Sequence, residues 1–378
     1  IYFMKLFTSK RLKENFMKIG FVLMQPAPYR DDIIKNIVQR NSETDIWYLH
    51  DANWYHTEWN YTSSLSNVFY SQGNIKKTFW GELDTDFICR IEEKNYDMLV
   101  VNGIYPMTLL KLLMHRMRKK KPYIIFADTV EKRGPYILRK QLYKNAAGLV
   151  VSGEMSKRFF QSIGVEENKI HIGCYVYNNQ DIYKKIVEYK TNKTNRRKQL
   201  GMNNDLFWFL FVGKLIPSRR TKNLLSAVAE CKGKFGVLII GDGPDYEEVS
   251  LYSSNYPNII SIPKVPIDQL HEYYALCDGY VHPGKEPYSL AEIEAAIAGM
   301  PIVSTSEVGA YMDVIEEEKN GRVVEIDDLN ALKNAMLDIS SGLYSEETCQ
   351  IKQRELLKKL NPEFVAEDIL KIIKEEIC

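Results

Sequence analysis

Apolar residues fall into short continuous runs, each followed by a turn and then by apolar positions at helical spacing. Residues 18–24, 45–49, 97–102, 123–127, 148–152 and 170–173 read as strands in the first half of the chain. Residues 206–212, 235–240, 258–262 and 278–282 do so in the second. Continuous rather than alternating apolar character belongs to strands covered on both faces. Between them the pattern predicts helices over about 31–40, 106–119, 224–229, 270–275 and 362–377. The aromatic-rich stretch 53–80 is irregular or holds a short strand. Strands alternating with helices give α/β, doubly wound parallel sheets, and such sheets take ligands beyond the C-terminal ends of their strands.

The most informative stretch runs from His282 to Thr305. Residues 283–287 form a loop, and Ser289 with Glu292 makes the pattern of a capping box, so a helix is expected to begin at about Leu290. Leu290, Ile293 and Ile297 form its apolar stripe, and Glu294 occupies a position where that stripe calls for an apolar residue. A carboxylate aimed at a core must find donors or shift its pKa. Glu286 stands just ahead of the helix, whose first N–H groups favour an anion. Two carboxylates around a helix N-terminus suit a ligand carrying both hydroxyls and phosphates, such as a nucleotide sugar. The plainer reading is a loop and helix whose Glu residues face solvent or a Lys.

The spacing Glu286, seven residues, Glu294, followed by Ala-Gly-Met-Pro-Ile-Val, resembles the signature of retaining family 4 (group 1) glycosyltransferases of the GT-B fold. That resemblance implies two Rossmann-like domains facing across a cleft. It assigns the donor sugar to Glu286 and the ribose hydroxyls to Glu294. The family's usual Gly-Phe-Gly-Leu is replaced here by Pro287-Tyr288-Ser289-Leu290, which puts Tyr288, Ser289 and Leu290 at the donor. Upstream, Gly213-Lys214-Leu215 and Arg219 fall on the family's two basic positions for the donor diphosphate. Arg220 stands where Gly is usual, so Arg219, Arg220 and Lys222 all remain candidates for the phosphate. Preorganised cations stabilise the charge that a departing diphosphate develops. The turn Gly241-Asp242-Gly243-Pro244 also recurs in the family, although it is simply good turn chemistry. His282, at a strand end beside the Glu loop, either lines the site or serves the turn.

Length sets the number of units. A chain of 378 residues exceeds one ordinary core and suggests about two domains. The expected division is an N-terminal extension 1–16 before a chain start at Met17, an acceptor-binding domain 17–185, a nucleotide-sugar-binding domain 186–361, and a terminal helix 362–378 returning to the first domain. The Lys- and Asn-rich stretch 178–204 reads as the interdomain linker. Six scattered cysteines without a Cys-x-x-Cys pair fit a reducing cytoplasm and neither a disulfide framework nor a zinc site. No apolar run approaches a membrane span, and the first residues are too polar for a signal peptide.

The net charge of +1 hides an asymmetry. Residues 1–180 carry 26 Lys and Arg against 18 Asp and Glu, and residues 101–160 carry 13 against 3. The basic end of the 106–119 helix, and Arg139 and Lys140 beside Tyr136-Ile137-Leu138, either rest on an anionic cytoplasmic membrane face or are solvated helix surfaces. No nucleic-acid partner is indicated.

On the acceptor side, Tyr29 and Arg30, Gly103 with Tyr105, and Asp128 all follow strands of the first sheet and are expected to line its crevice. Asp128 is equally well read as a helix cap. Asp84-Thr85-Asp86 lacks the strand context of a metal motif, and the six histidines are dispersed, so no metal or other cofactor is expected. The combined reading is a metal-independent, retaining glycosyltransferase. It would move a sugar from a UDP-, GDP- or ADP-sugar to a glycan or lipid-linked acceptor in polysaccharide biosynthesis. A sugar-nucleotide epimerase or a non-catalytic scaffold on the same fold are the rival readings.

Overall fold

The computed structural model describes residues 17–51, 63–73, 75–127 and 136–377. The expected extension 1–16 and Asp128 lie outside them. Two parallel sheets organise the chain. The first has seven strands in the order Val68–Tyr70, Thr44–Tyr48, Ile19–Leu23, Met98–Asn102, Tyr123–Ala127, Gly148–Val151 and Ile170–Ile172. The second has six, in the order Ile259–Ile262, Gly236–Ile240, Trp208–Val212, Gly279–His282, Ile302–Thr305 and Gly321–Val324. In each, the chain starts in the middle, runs to one edge, then returns to build the other side. The crevice where the order reverses lies between Ile19–Leu23 and Met98–Asn102 in the first sheet. In the second it lies between Trp208–Val212 and Gly279–His282.

The central strands are wholly buried because helices cover both faces. Ile19, Phe21, Val100, Phe209, Leu210 and Val281 have no exposed surface. The helix Pro28–Arg40 presents Ile33, Ile34 and Ile37 to one face of the first sheet. The same core takes in Val365, Ile369 and Ile373 of the last helix, Pro362–Ile377, so the end of the chain lies against its beginning. Arg40 ties the two together through Glu363 at 2.6 Å.

The stretch read as a linker is instead helical, Asn179–Lys190 and Lys193–Gln199. Its composition conceals a narrow buried stripe, Ile182 and Ile186, on otherwise polar turns. Arg197 and Lys193 anchor it to Asp278, both at 2.6 Å. The division expected between residues 185 and 186 falls inside the first of these helices. Asp84, set aside as a metal ligand, caps the helix Thr85–Glu93 by accepting the N–H of Phe87. The stretch 53–80, read as irregular or holding a short strand, contains strand Val68–Tyr70, and its strand Lys76–Thr78 forms a small hairpin with Gly81–Leu83 just beyond it.

Candidate functional site

Glu286 lies in the loop after strand Gly279–His282, and its carboxylate is held from two sides. Arg219 donates to Oε1 at 2.5 Å, and His282 Nε2 lies 3.2 Å from Oε2. His282 is almost fully buried at the strand end, and its Nδ1 receives the N–H of Gly284. Arg219 also donates to the carbonyl of Lys285. The loop backbone is fixed as well. Glu286 donates its N–H to Glu307 and its carbonyl accepts from Gly309, while Thr305 donates its hydroxyl to the carbonyl of Gly284. A Cβ on Gly284 would sit 2.3 Å from the backbone of Arg219, so glycine is what lets these two segments meet.

Across the crevice, Gly213 and exposed Lys214 follow strand Trp208–Val212. With Gly241, Asp242, Gly243 and Lys264 they border a pocket of about 290 Å³ whose apolar wall includes Ile240, Val265 and Leu270. Gly241 is packed so closely on the carbonyl of Gly213 that a Cβ there would overlap it. Lys264 was not singled out from the sequence. It follows strand Ile259–Ile262, and the rule that loops after parallel strands line the crevice would have found it.

The helix after the loop spans Leu290–Ile297, and Ser289 caps it by accepting the N–H of Glu292 at 3.3 Å. The reciprocal half of the expected capping box does not form. Glu292 turns inward, has no exposed surface, and neither carboxylate oxygen meets a donor in hydrogen-bonding geometry. Ser304 and Tyr280 lie beside it, and burial pushes its pKa up to about 8, with the Ser304 hydroxyl partly opposing the shift. Glu294 is buried too, as its place in the apolar stripe required. Burial raises its pKa to about 7, with the Tyr274 hydroxyl partly opposing the shift.

Three expected donor residues are engaged elsewhere. Arg220 adopts a left-handed backbone with φ 54° and reaches Asp327 at 2.7 Å, away from Glu286. Lys222 pairs with Glu248 at 2.6 Å. The ring of Tyr288 is buried and stacks on Tyr175 of the first half, centroids 5.8 Å apart. Leu290 is half-buried at the first helical position. The structure thus brings Arg219, His282 and Glu286 into contact, while Gly213 and Lys214 line the pocket that follows the adjacent strand.

On the other side, Tyr29 and Arg30 begin the helix Pro28–Arg40, and both are buried. Tyr29 packs against Tyr175 and Tyr177, and the guanidinium of Arg30 lies 5.1 Å from the Tyr29 ring centre. These side chains build the seam between the halves. Gly103 ends its strand with φ 75°, and exposed Tyr105 leans on Gly81 of the hairpin. Asp313 reaches across the seam to accept the backbone N–H of Glu154, a relationship with no local sequence signal.

Residues 192–375 match the family model described as glycosyl transferases group 1. An uncharacterized glycosyltransferase of Methanocaldococcus jannaschii is 26% identical over 186 residues, 47% of each chain, so the match spans about half of that relative's length. A second from the same organism is 24% identical over 248 residues, 64% of this chain and 68% of the relative. Among solved structures, Anabaena HepE in complex with UDP aligns at TM-score 0.71 and 15% identity, covering 95% of this chain and all of the other. The lipopolysaccharide outer core galactosyltransferase WaaB in its apo form aligns at TM-score 0.66 and 15% identity, covering 95% and 100%. At such identity the structural likeness speaks for the fold. The described chain is a GT-B fold of two Rossmann-like halves, and its residues 192–375 are similar to the glycosyl transferases group 1 family.

Proposed function

We propose that the protein transfers a sugar, with retention of configuration and without a metal ion, from a nucleotide diphosphate sugar to a glycan or lipid-linked acceptor. The observation that carries this reading is the Glu286 carboxylate clamped by Arg219 and His282 at the switch point of the second sheet, with Lys214 just after the adjacent strand. A carboxylate fixed at both oxygens is preorganised to receive sugar hydroxyls without reorienting. The pocket beside Lys214, with an apolar wall and polar rim, suits a nucleotide base. HepE, crystallised with UDP and UDP-glucose, makes a UDP-sugar the first donor to try among the UDP, GDP and ADP series.

In this reading Lys214 and Arg219 face the donor diphosphate, with the first N–H groups of helix Leu290–Ile297. Glu294 orients the ribose. The bond between the anomeric carbon and phosphate oxygen breaks, and its electron pair leaves with the diphosphate. The acceptor oxygen bonds to the same face of that carbon, and its proton passes to the departing phosphate oxygen. Cations already in place stabilise that charge, so the step needs no metal ion. Closure of the two halves excludes water that would otherwise hydrolyse the donor. No helix among the described residues is long and apolar enough to cross a membrane. The proposed setting is the cytoplasm, at the membrane face where a lipid-linked acceptor is presented.

The test is nucleotide release from a panel of UDP-, GDP- and ADP-sugars, with and without a crude lipid-glycan fraction. Release from one donor, abolished in Glu286→Ala, supports the reading and names the donor. Conversion of the donor sugar without transfer would identify an epimerase. No turnover and no thermal shift with any donor would identify a scaffold.

A further inference from the structure

On the first half, the helices Thr85–Glu93, Met107–Arg118 and Tyr136–Lys144 enclose an open groove of about 620 Å³. Its floor is apolar, formed by Trp80, Ile88, Met107, Leu110, Met114 and Leu138. One rim is a basic stripe, because Lys111, His115 and Arg118 recur along a single side of their helix. Lys119, Lys120 and Lys121 extend it past the helix end. Glu92 of the facing helix is already shared by His115, Arg116 and Lys121.

Two large apolar side chains stand in water beside the groove. Phe79, at the tip of the hairpin and edge-on to Trp80, is 91% exposed. Ile137, next to Leu138, is 78% exposed. A loop tip with an exposed Phe and a helix with an exposed Ile are costly ornaments for a surface that always faces water. Beside a cationic rim they form an interfacial surface, with apolar groups to enter the hydrocarbon edge and cations to meet headgroups.

We infer that this groove docks the protein on an anionic lipid bilayer, with Phe79 and Ile137 inserted and Lys111 and Arg118 against the headgroups. The inference deepens the proposed reading by naming the surface on which a lipid-linked acceptor would be met. Charge complementarity selects the bilayer as occupant. A neutral apolar peptide would leave the basic stripe unused, and a second copy would bring two basic rims together.

The experiment is co-sedimentation of the full chain with vesicles of 30% phosphatidylglycerol in phosphatidylcholine, or of phosphatidylcholine alone. Three proteins are compared: wild type, Phe79→Ser with Ile137→Ser, and Lys111→Gln with Arg118→Gln. Wild type should partition at least tenfold more to the anionic vesicles, less at high salt. Each cation removed should cost about fivefold, and the apolar pair should lose binding even at low salt. Thermal unfolding of both variants, expected to match wild type because the altered side chains are exposed, confirms that the loss is local. Equal binding to both vesicles, or binding indifferent to both variants, overturns the inference. So does a dimer in sedimentation that the apolar pair dissolves while vesicles are ignored. Vesicle binding is read without turnover, so its failure and failure of the transferase reading are separately visible.

Discussion

The backbone N–H of Glu154 is shared by both carboxylate oxygens of Asp313, at 3.1 and 3.3 Å, across the seam between the halves. Glu154 opens the helix Glu154–Ser162, so a carboxylate of the second half caps a helix of the first. Gly153, just before it, has no room for a side chain, since a Cβ would fall 2.1 Å from Asp313. Gly153→Ala should therefore lower stability by about 1–3 kcal/mol through overlap alone, because its backbone is extended and suits any residue. Asp313→Asn, which keeps an acceptor, should cost less. Urea unfolding of both variants checks the order, and equal effects would argue against the cap.

Removing the clamp should injure catalysis more than folding. Glu286→Ala and Arg219→Ala are each expected to reduce donor turnover by roughly 10²- to 10³-fold. His282→Ala, which loosens only one oxygen of Glu286, should lose less. The three variants measured at saturating donor provide the comparison. A His282 effect exceeding that of Glu286 would mean that His282 itself meets the substrate.

Arg220 and Lys222 should prove dispensable. Their charges are spent on Asp327 and Glu248. Arg220→Gly also relieves a left-handed backbone at φ 54°. Turnover within about threefold of wild type is expected for Arg220→Gly and Lys222→Ala, since solvent-screened pairs of this kind contribute little. A large loss of donor affinity in either variant would reassign the phosphate contact.

Stability should fall as pH rises through neutrality. Burial pushes the pKa of Glu292 to about 8 and those of Glu294 and Asp313 to about 7. Unfolded carboxyls titrate near about 4. Between those limits the folded state holds more protons than the unfolded one, so rising pH favours unfolding until the folded pKa is passed. Glu292→Gln removes one such group. Its stability relative to wild type should improve between pH 5 and pH 8 by on the order of 2 kcal/mol or more. A difference that stays constant with pH would show that Glu292 is not buried in its acid form.

Most of the frame was legible because burial on both faces writes strands as unbroken apolar runs. Residues 123–127 were read to the residue, and the parallel sheets followed from strand–helix alternation. Glu294 announced itself by breaking an apolar stripe. What stayed hidden depends on contacts remote in sequence. Nothing around Asp313 says that it will cap a helix 159 residues earlier. Arg220 and Tyr288 sit in motif positions, yet their side chains follow Asp327 and Tyr175, which no local pattern links to them. The helix Asn179–Lys190 was missed because only a few of its side chains, Asn179, Ile182 and Ile186 with Tyr183 beside them, turn inward.

The last helix has a consequence for how the protein is made. Ile372 fills the space above Gly148, and Val365 fills that above Gly173, both at strands of the first sheet. A ribosome delivers those glycines about two hundred residues before it delivers their partners. Throughout that interval the first sheet waits with part of one face uncovered beside helix Pro28–Arg40, while the second half has most of what it needs to close. Maturation should thus run backwards relative to synthesis. A nascent chain stalled before residue 362 should leave its earlier half sticky to chaperones and its later half already folded.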